Sequence, residues 1–440
     1  MKRFYIHTLG CPKNQVDSSS LSSLLLQGGF VEAPGPDEAD VILINTCGFI
    51  NDAKEESIEH ILLLLNRKKP CQKVLVFGCL AQRYMREMIE ELPEVDGVFG
   101  VDSFKEIMDF LSLPDRNRDV SYRRLSYKED GSSYAYLKIA EGCNRQCTFC
   151  IIPSIRGGLK SYAPERILEE AERLVREGVK EIILVAQDIT SYGIDTGNYR
   201  LERLLRELAS IEGDFWIRLL YLYPTMIDDA LIETIAEVDK ICKYLDIPIQ
   251  HSEERILRLM GRPGSPELFR RLIKRLRQDI PGVVLRTTVI VGFPSESDEE
   301  FSRLLDFIKE MEFDRLGAFK YSPEEGTEAC KIKEQIPEEK KQERFHEIMK
   351  AQAEISYRKN RDLLNRRFRI LIDNVSEDLI AGRYYGQAPE IDGIVIIDNC
   401  MSGNIPFSGQ SCSENKIKTG EFLDVRITDA YEYDLKAMLL

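Results

Sequence analysis

Cys143, Cys147 and Cys150 stand on one short stretch, "EGCNRQCTFCIIPSIRG" (141–157), with the spacing C-x3-C-x2-C. Three thiols so close cannot all pair as disulfides, but all can reach a common point, and a metal or metal cluster is the natural occupant. Structural zinc wants four protein ligands, usually in two separated pairs, and no fourth Cys or His lies close to Cys150. A [4Fe-4S] cluster takes thiolates as its usual ligands. Three cysteines satisfy three irons and leave the fourth open for a substrate or cofactor.

A second set is spread more widely. Cys11 follows "FYIHTLG", Cys47 follows "VILINT" and Cys79 follows "KVLVFG". Each apolar, β-branched run reads as a short strand, so each cysteine stands at a strand's carboxyl end. In a parallel sheet those ends share one edge, and residues far apart in sequence converge. Each cysteine also has a glycine neighbour, Gly10, Gly48 or Gly78. Glycine lets backbone approach a bulky cluster and leaves N–H groups free for its sulfurs. Three buried structural cysteines are the plainer alternative; the repeated strand-end pairing favours a second three-cysteine cluster. Cys71, Cys242, Cys330, Cys400 and Cys412 read as buried or incidental. His7, His60 and His346 read as structural or surface residues, and His251, just after "YLDIPI", as a candidate substrate contact.

A chain of 440 residues must position these groups, and it is too long for one ordinary domain. Its 43% hydrophobic and 30% charged content describe a soluble globular protein. The first residues read directly as a strand and no apolar run approaches a membrane span, so a cytoplasmic location and no membrane partner are expected. There, cysteines serve metals or cores more than disulfides. The net charge of −14 argues against nucleic acid as the main partner, because phosphate binding runs on Lys and Arg.

The expected class is α/β, in three regions. Residues 1–112 alternate strands with helical patterns, which predicts a small parallel α/β domain. Polar residues 113–133 read as a linker. Over 134–365 the βα rhythm repeats through "YAYLKIA", "EIILVAQ", "FWIRLLYL", "KYLDIPI", "VLRTTVIV" and "FDRLGAFKY", followed by a long charged helix. A closed TIM barrel needs eight strands, so six predict an open (β/α) partial barrel. The Cys143 triplet then lies at the carboxyl end of the first barrel strand, where barrel enzymes keep their chemistry. Residues 366–440 change to short strands and glycine turns, a small antiparallel β-barrel.

The Cys143–Cys150 stretch resembles the radical S-adenosylmethionine (SAM) enzymes, whose signature C-x3-C-x-aromatic-C finds its aromatic here in Phe149. Over essentially its full length the chain resembles the methylthiotransferases: an amino-terminal cluster domain, a radical SAM barrel and a TRAM barrel. Their amino-terminal motifs match "TLGCPKNQVDS", "NTCGFINDAKEESI" and "GCLAQRY". The resemblance implies two [4Fe-4S] clusters, an auxiliary one on Cys11, Cys47 and Cys79 and a SAM-cleaving one on Cys143, Cys147 and Cys150. It implies that SAM is both methyl donor and source of a 5′-deoxyadenosyl radical, and that an external electron donor is needed. No protein acid–base pair is required. Phe149, Gln187, Gln250, Arg286 and Gly292 are the candidate SAM contacts, Phe149 near the adenine and the others at or near the barrel mouth.

The family divides into enzymes acting on transfer RNA and a branch that modifies an aspartate β-carbon of ribosomal protein S-twelve in the small subunit. "GCPKNQVDS", "CGFINDAKEESI", "AQDITSYGID" and "IPIQHSEERILRLMGRPG" resemble that branch, as do Asp188 and His251-Ser252. Charge points the same way. Beyond Arg369 the last region holds five basic residues against twelve acids. RNA-holding barrels need a basic face, so this one disfavours transfer RNA and suits a basic ribosomal protein. Transfer RNA adenosine methylthiolation is the first alternative, and a non-catalytic iron–sulfur carrier the second.

Overall fold

A computed structural model describes residues 2–113, 123–197, 199–376, 379–397 and 417–440. It begins with β1 (Arg3–Thr8), α1 (Pro12–Gln27), β2 (Val31–Glu32), β3 (Val41–Thr46) and α2 (Asn51–Asn66). There follow β4 (Lys73–Gly78), α3 (Cys79–Arg83), α4 (Met85–Glu91), β5 (Gly97–Val98) and α5 (Phe104–Phe110). The strands form one parallel sheet in the order β2-β1-β3-β4-β5. Every residue of β3 is buried. A central parallel strand covered on both faces has no wet side, so its sequence is a continuous apolar run. The two-residue edges β2 and β5 carry no periodicity a sequence could reveal.

The second sheet comprises β6 (Ser126–Tyr127), β7 (Tyr134–Lys138), β10 (Glu181–Val185), β11 (Trp216–Leu219), β12 (Ile241–Asp246), β13 (Val284–Val291) and β14 (Arg315–Lys320). A small hairpin of β8 (Ala140–Glu141) and β9 (Lys160–Ser161) brackets α6 (Ile152–Arg156). The helices α7 (Pro164–Arg176), α8 (Leu201–Ser210), α9 (Asp229–Glu237), α10 (Glu254–Leu259), α11 (Pro266–Asp279) and α12 (Asp298–Met311) alternate with the strands, and α13 (Glu338–Arg361) trails them. The order is β14-β13-β12-β11-β10-β7-β6. All six expected strands are present and parallel, and the sheet stays open. β6 adds an antiparallel edge inside the stretch read as a linker; residues 114–122 of that stretch lie outside the described residues.

Alternation along β10 shows how the barrel is filled. Ile182 and Leu184 face the helices. Ile183 and Val185 face inward and join Trp216, Tyr244 and Val284 in an apolar cluster with Ile370, Leu371 and Tyr384 of the carboxyl-terminal domain. That domain is a closed barrel of β15 (Arg367–Val375), β16 (Ile380–Tyr384), β17 (Val395–Ile397), β18 (Phe422–Ala430) and β19 (Leu435–Leu439). It packs on the concave face of the open sheet. Burying each large apolar side chain there contributes about 1.5–3 kcal/mol. Wholly buried Glu181 pairs with Arg218 and Arg383 in the same interface, and Arg383 with Asp373. The expectation of an antiparallel barrel needs one correction, since β17 and β19 run parallel. Five strands closing on themselves cannot alternate all the way round, so one pair must be parallel.

The acid count of this domain also needs correction. Asp373 is spent on Arg383 and Ser133, Asp392 accepts from Tyr244, and Asp434 accepts from the Ile394 amide. Glu390, Asp424, Asp429 and Glu432 are the exposed acids among the described residues. Glu377, Asp378, Asp398, Glu414 and Lys416 lie outside them, as do Cys400 and Cys412. Among the described residues, no helix is long and apolar enough to cross a membrane.

Candidate metal centres

The amino-terminal thiols meet where β1, β3 and β4 end. Cys11 is the N-cap of α1, Cys47 directly follows β3 and Cys79 opens α3. Glycine is required here for space. A Cβ on Gly10 would lie 2.8 Å from Cys47 Cβ, and one on Gly48 would lie 2.8 Å from Leu80 Cα. Gly10 and Gly78 also hold φ of +91° and +101°, which side chains rarely adopt. Burial pushes the Cys11 thiol up, but Lys13, Arg156 and the amides of Asn14 and Lys13 outweigh it and bring it down. A helix N-terminus favours a thiolate in this way. Burial raises Cys47, and raises Cys79 to about 12 against the pull of Arg156.

The second triad is held by loop packing. The Cys143 amide donates to the Gly157 carbonyl (3.1 Å), the Thr148 amide to Met260 (2.9 Å), and the Ala329 amide to Thr148 (2.9 Å). Gly261 lets the loop sit close, since a Cβ there would lie 2.4 Å from the Gln146 carbonyl oxygen. The Arg145 amide approaches Cys143 Sγ at 3.4 Å and Arg262 Nη1 approaches Cys147 Sγ at 3.6 Å. Burial pushes the Cys150 thiol to about 12. Among the described residues, no three His, Cys, Asp or Glu side chains are grouped tightly enough to hold one metal ion. Tetrahedral zinc with bonds of about 2.3 Å needs its sulfurs about 4 Å apart, whereas a cluster takes each thiolate on a separate iron.

A charged network that the sequence did not reveal ties Cys79 of the first triad to barrel residues that flank the second triad in sequence. Arg156, six residues beyond Cys150, is 1% exposed at its side chain. It donates to Cys79 Sγ (3.3 Å), Asn14 Oδ1 (2.6 Å), Asp17 Oδ2 (3.0 Å) and Glu141 Oε2 (3.0 Å). Lys138, at the end of β7, bonds the same two carboxylates. Burial pushes Glu141 up, yet Lys138, Arg156 and Gln187 hold its carboxyl well below the usual range. Only "SIRG", a basic turn bounded by glycine, marked this in the sequence. Asp17, Lys138 and Glu141 come from separate elements and carried no spacing signal.

The candidate SAM contacts divide. Phe149 packs against Ile256, Met260, Phe293 and Tyr321 beside the second triad. Gln187 donates to Glu141 Oε1 (2.8 Å), and its own side-chain oxygen is buried without a partner among the described residues. Gln250, at φ +70°, has the same orphaned oxygen. Arg286 is committed elsewhere: it bonds Asp246 (2.7 Å) and faces Asp392 of the carboxyl-terminal barrel. Gly292 makes room for α13, since a Cβ would lie 2.3 Å from Lys341 Cγ. His251 corrects the expectation of a substrate contact. It is fully buried between the Glu253 amide (3.0 Å) and Glu296 (3.3 Å). Of the incidental cysteines, Cys242 is buried and Cys71 exposed.

Comparison with known proteins agrees with this architecture. Family models described as "Uncharacterized protein family UPF0004", "Radical SAM superfamily" and "TRAM domain" match residues 3–100, 137–308 and 366–440. A curated protein of Thermodesulfovibrio yellowstonii named "Ribosomal protein uS12 methylthiotransferase RimO" is 52% identical, covering 100% of both chains. Its namesake in Acetivibrio thermocellus is 46% identical over 99% of this chain and 97% of that one. Among solved structures, the radical S-adenosylmethionine methyltransferase TsrM from Kitasatospora setae superposes with a TM-score of 0.53 at 13% identity, covering 75% of this chain and 77% of that one. That likeness speaks to fold alone. The sequence relatives decide membership: the chain belongs to the RimO methylthiotransferase family of radical SAM enzymes.

Proposed function

We propose that this protein attaches a methylthio group to the β-carbon of an aspartate in ribosomal protein S-twelve, the uS12 of its relatives' names. The observation that carries the reading is the pair of thiol triads in separate domains, with Arg156, six residues beyond Cys150, bonding Cys79 of the other domain. In this reading Cys11, Cys47 and Cys79 hold an auxiliary [4Fe-4S] cluster, and Cys143, Cys147 and Cys150 hold the SAM-binding one. When bound, the clusters and SAM supply the methyl group, the electron and the carbon-centred radical that an unactivated C–H bond demands.

The chain's own residues bind and orient. The orphaned oxygens of Gln187 and Gln250 fit the amino and hydroxyl donors of SAM, because buried acceptors without partners are costly. Phe149 offers a ring face to the adenine. Arg156 places positive charge beside the Cys11 and Cys79 thiols, which must be deprotonated to take metal. An external electron donor completes the requirements.

The test is anaerobic reconstitution with iron, sulfide, SAM and a reductant, offered purified uS12 and bulk transfer RNA in parallel. Mass spectrometry is expected to find the methylthio group on an aspartate of uS12. A methylthioadenosine in the transfer RNA instead would overturn the substrate, and absence of SAM cleavage would overturn the enzyme class in favour of a carrier.

A further inference from the structure

Cations from both domains stand around the two triads, and most of them are ion-paired. Arg156 and Lys138 share Asp17 and Glu141. Arg145 pairs with Asp188 at 2.9 Å and Arg286 with Asp246 at 2.7 Å. Arg262 spends its donors on the Pro248 carbonyl and Cys147 Sγ. Lys13 differs. Among the described residues its ammonium has no hydrogen bond and no ion pair; it rests 4.0 Å above the centroid of the Tyr221 ring, with the Cys11 thiol and the more distant Glu141 carboxylate in its surroundings.

The setting of Tyr221 is as unusual. It lies just beyond β11 at φ +65°, where a bulky side chain is strained, and strain of this kind clusters at ligand clamps. Two residues on, Tyr223 is stacked between Arg145 and Arg262, at 4.0 and 4.3 Å, beside the Cys147 loop. Residues 221–223 thus form a ridge with one triad's cation on Tyr221 and the other triad's cations on Tyr223. Lys13 comes from the amino-terminal domain and Tyr221 from the barrel, so the ammonium stands where the two domains face each other. It is half-buried, hence desolvated yet reachable.

We propose that Lys13 is the specificity-determining residue that receives the side-chain carboxylate of the target aspartate. The inference rests on the substrate reading above. An aspartate whose β-carbon must lie between the triads brings a carboxylate, one bond away, into the same space. An ammonium on a ring face can receive it without first breaking an ion pair, and the ring face keeps the ammonium in place.

The test uses the reconstituted full-length enzyme as wild type, Lys13→Met and Lys13→Arg. The substrates are uS12 and uS12 with its modified aspartate changed to asparagine. Iron content and SAM cleavage without substrate are read first, since a lysine that served only the auxiliary cluster would change them. The expectation is that Lys13→Met, compared per cluster-loaded enzyme, loses about 10- to 100-fold in kcat/KM for uS12, mainly through KM, the scale of a charge-assisted hydrogen bond. Anisotropy titration of labelled uS12 should show the same loss, the wild-type preference for aspartate over asparagine should fall to near unity, and Lys13→Arg should recover part of it. Undiminished kcat/KM per cluster-loaded enzyme in Lys13→Met overturns the assignment of Lys13 alone. If Lys13→Met does not fold, the wild-type aspartate–asparagine preference and Lys13→Arg decide: no preference overturns the assignment. No product on uS12 with wild-type enzyme overturns the substrate reading, and this inference with it.

Discussion

Replacing Arg156 with methionine should loosen the junction between the amino-terminal domain and the barrel. The guanidinium and Lys138 together balance Asp17 and Glu141, and the side chains of all four are 14% exposed or less. Arg156→Met leaves one uncompensated negative charge in that space. Removing one partner of a buried pair costs about 3–5 kcal/mol. For a unit of 150–250 residues each kcal/mol moves the midpoint by about 2–4 °C, so the first transition should fall by about 6–20 °C. The metal-free protein is the right sample, followed by calorimetry at neutral pH and read at its first transition because the chain has several domains. The control is Asp17→Asn. In the wild type it strands a positive charge and should destabilise; on Arg156→Met it restores neutrality and should recover about 2 kcal/mol of the loss. A variant melting within about 2 °C of wild type, or Asp17→Asn lowering both backgrounds equally, would refute the reasoning.

The remaining expectations concern metal, chemistry, pH and partner. Reconstituted protein should hold two [4Fe-4S] clusters, and changing Cys143, Cys147 and Cys150 to alanine should leave about half the iron; unchanged iron, or zinc instead, contradicts the assignment. Cys47→Ala should still cleave SAM to 5′-deoxyadenosine without forming methylthio product, whereas Cys147→Ala should abolish cleavage; normal turnover by Cys47→Ala would make the second cluster superfluous. Glu141 is held below its ordinary 4.5, so its stabilisation is complete above that pH and fades as pH falls through it; midpoints between pH 6 and 3.5 should fall less steeply in Glu141→Gln than in wild type, and parallel curves would exclude the linkage. Lysine at Glu421, Asp424 and Asp429 should slow association with uS12 and leave substrate-free SAM cleavage untouched; tighter retention of uS12 would sink docking through this face.

What could be read in advance follows from how local the signal was. The six barrel strands were legible because each is a short apolar run, wholly or almost wholly buried in β7, β10 and β11 and alternating in β13, and the Cys143 triplet because its spacing is complete on one loop. Cys11, Cys47 and Cys79 were legible at one remove: parallel strand ends share an edge, so three strand predictions became one prediction of convergence. The docking of the third domain on the concave face was not legible. Tyr244 and Val284 would be inward-facing residues in any barrel, and nothing in their sequence says that Ile370 and Tyr384 will meet them. Composition misled for a related reason. It counted Asp373, Asp392 and Asp434 as surface charge, while the fold uses each to satisfy a donor.

The inter-triad network shows the same limit from the side of function. Lys13 and Asp17 lie one turn apart on α1, and by spacing alone they are an ordinary helical pair of opposite sign. The fold separates them: Asp17 turns to Lys138 and Arg156, and Lys13 turns to Tyr221. The carboxylate that could have neutralised Lys13 is consumed by two cations from the barrel, one of which also bonds Cys79. Docking the barrel on the amino-terminal domain therefore does two things at once. It brings a cation to Cys79 and leaves Lys13, two residues beyond Cys11, without an ion pair among the described residues. A sequence cannot show an uncommitted charge, because the state depends on which of several partners the fold has already used.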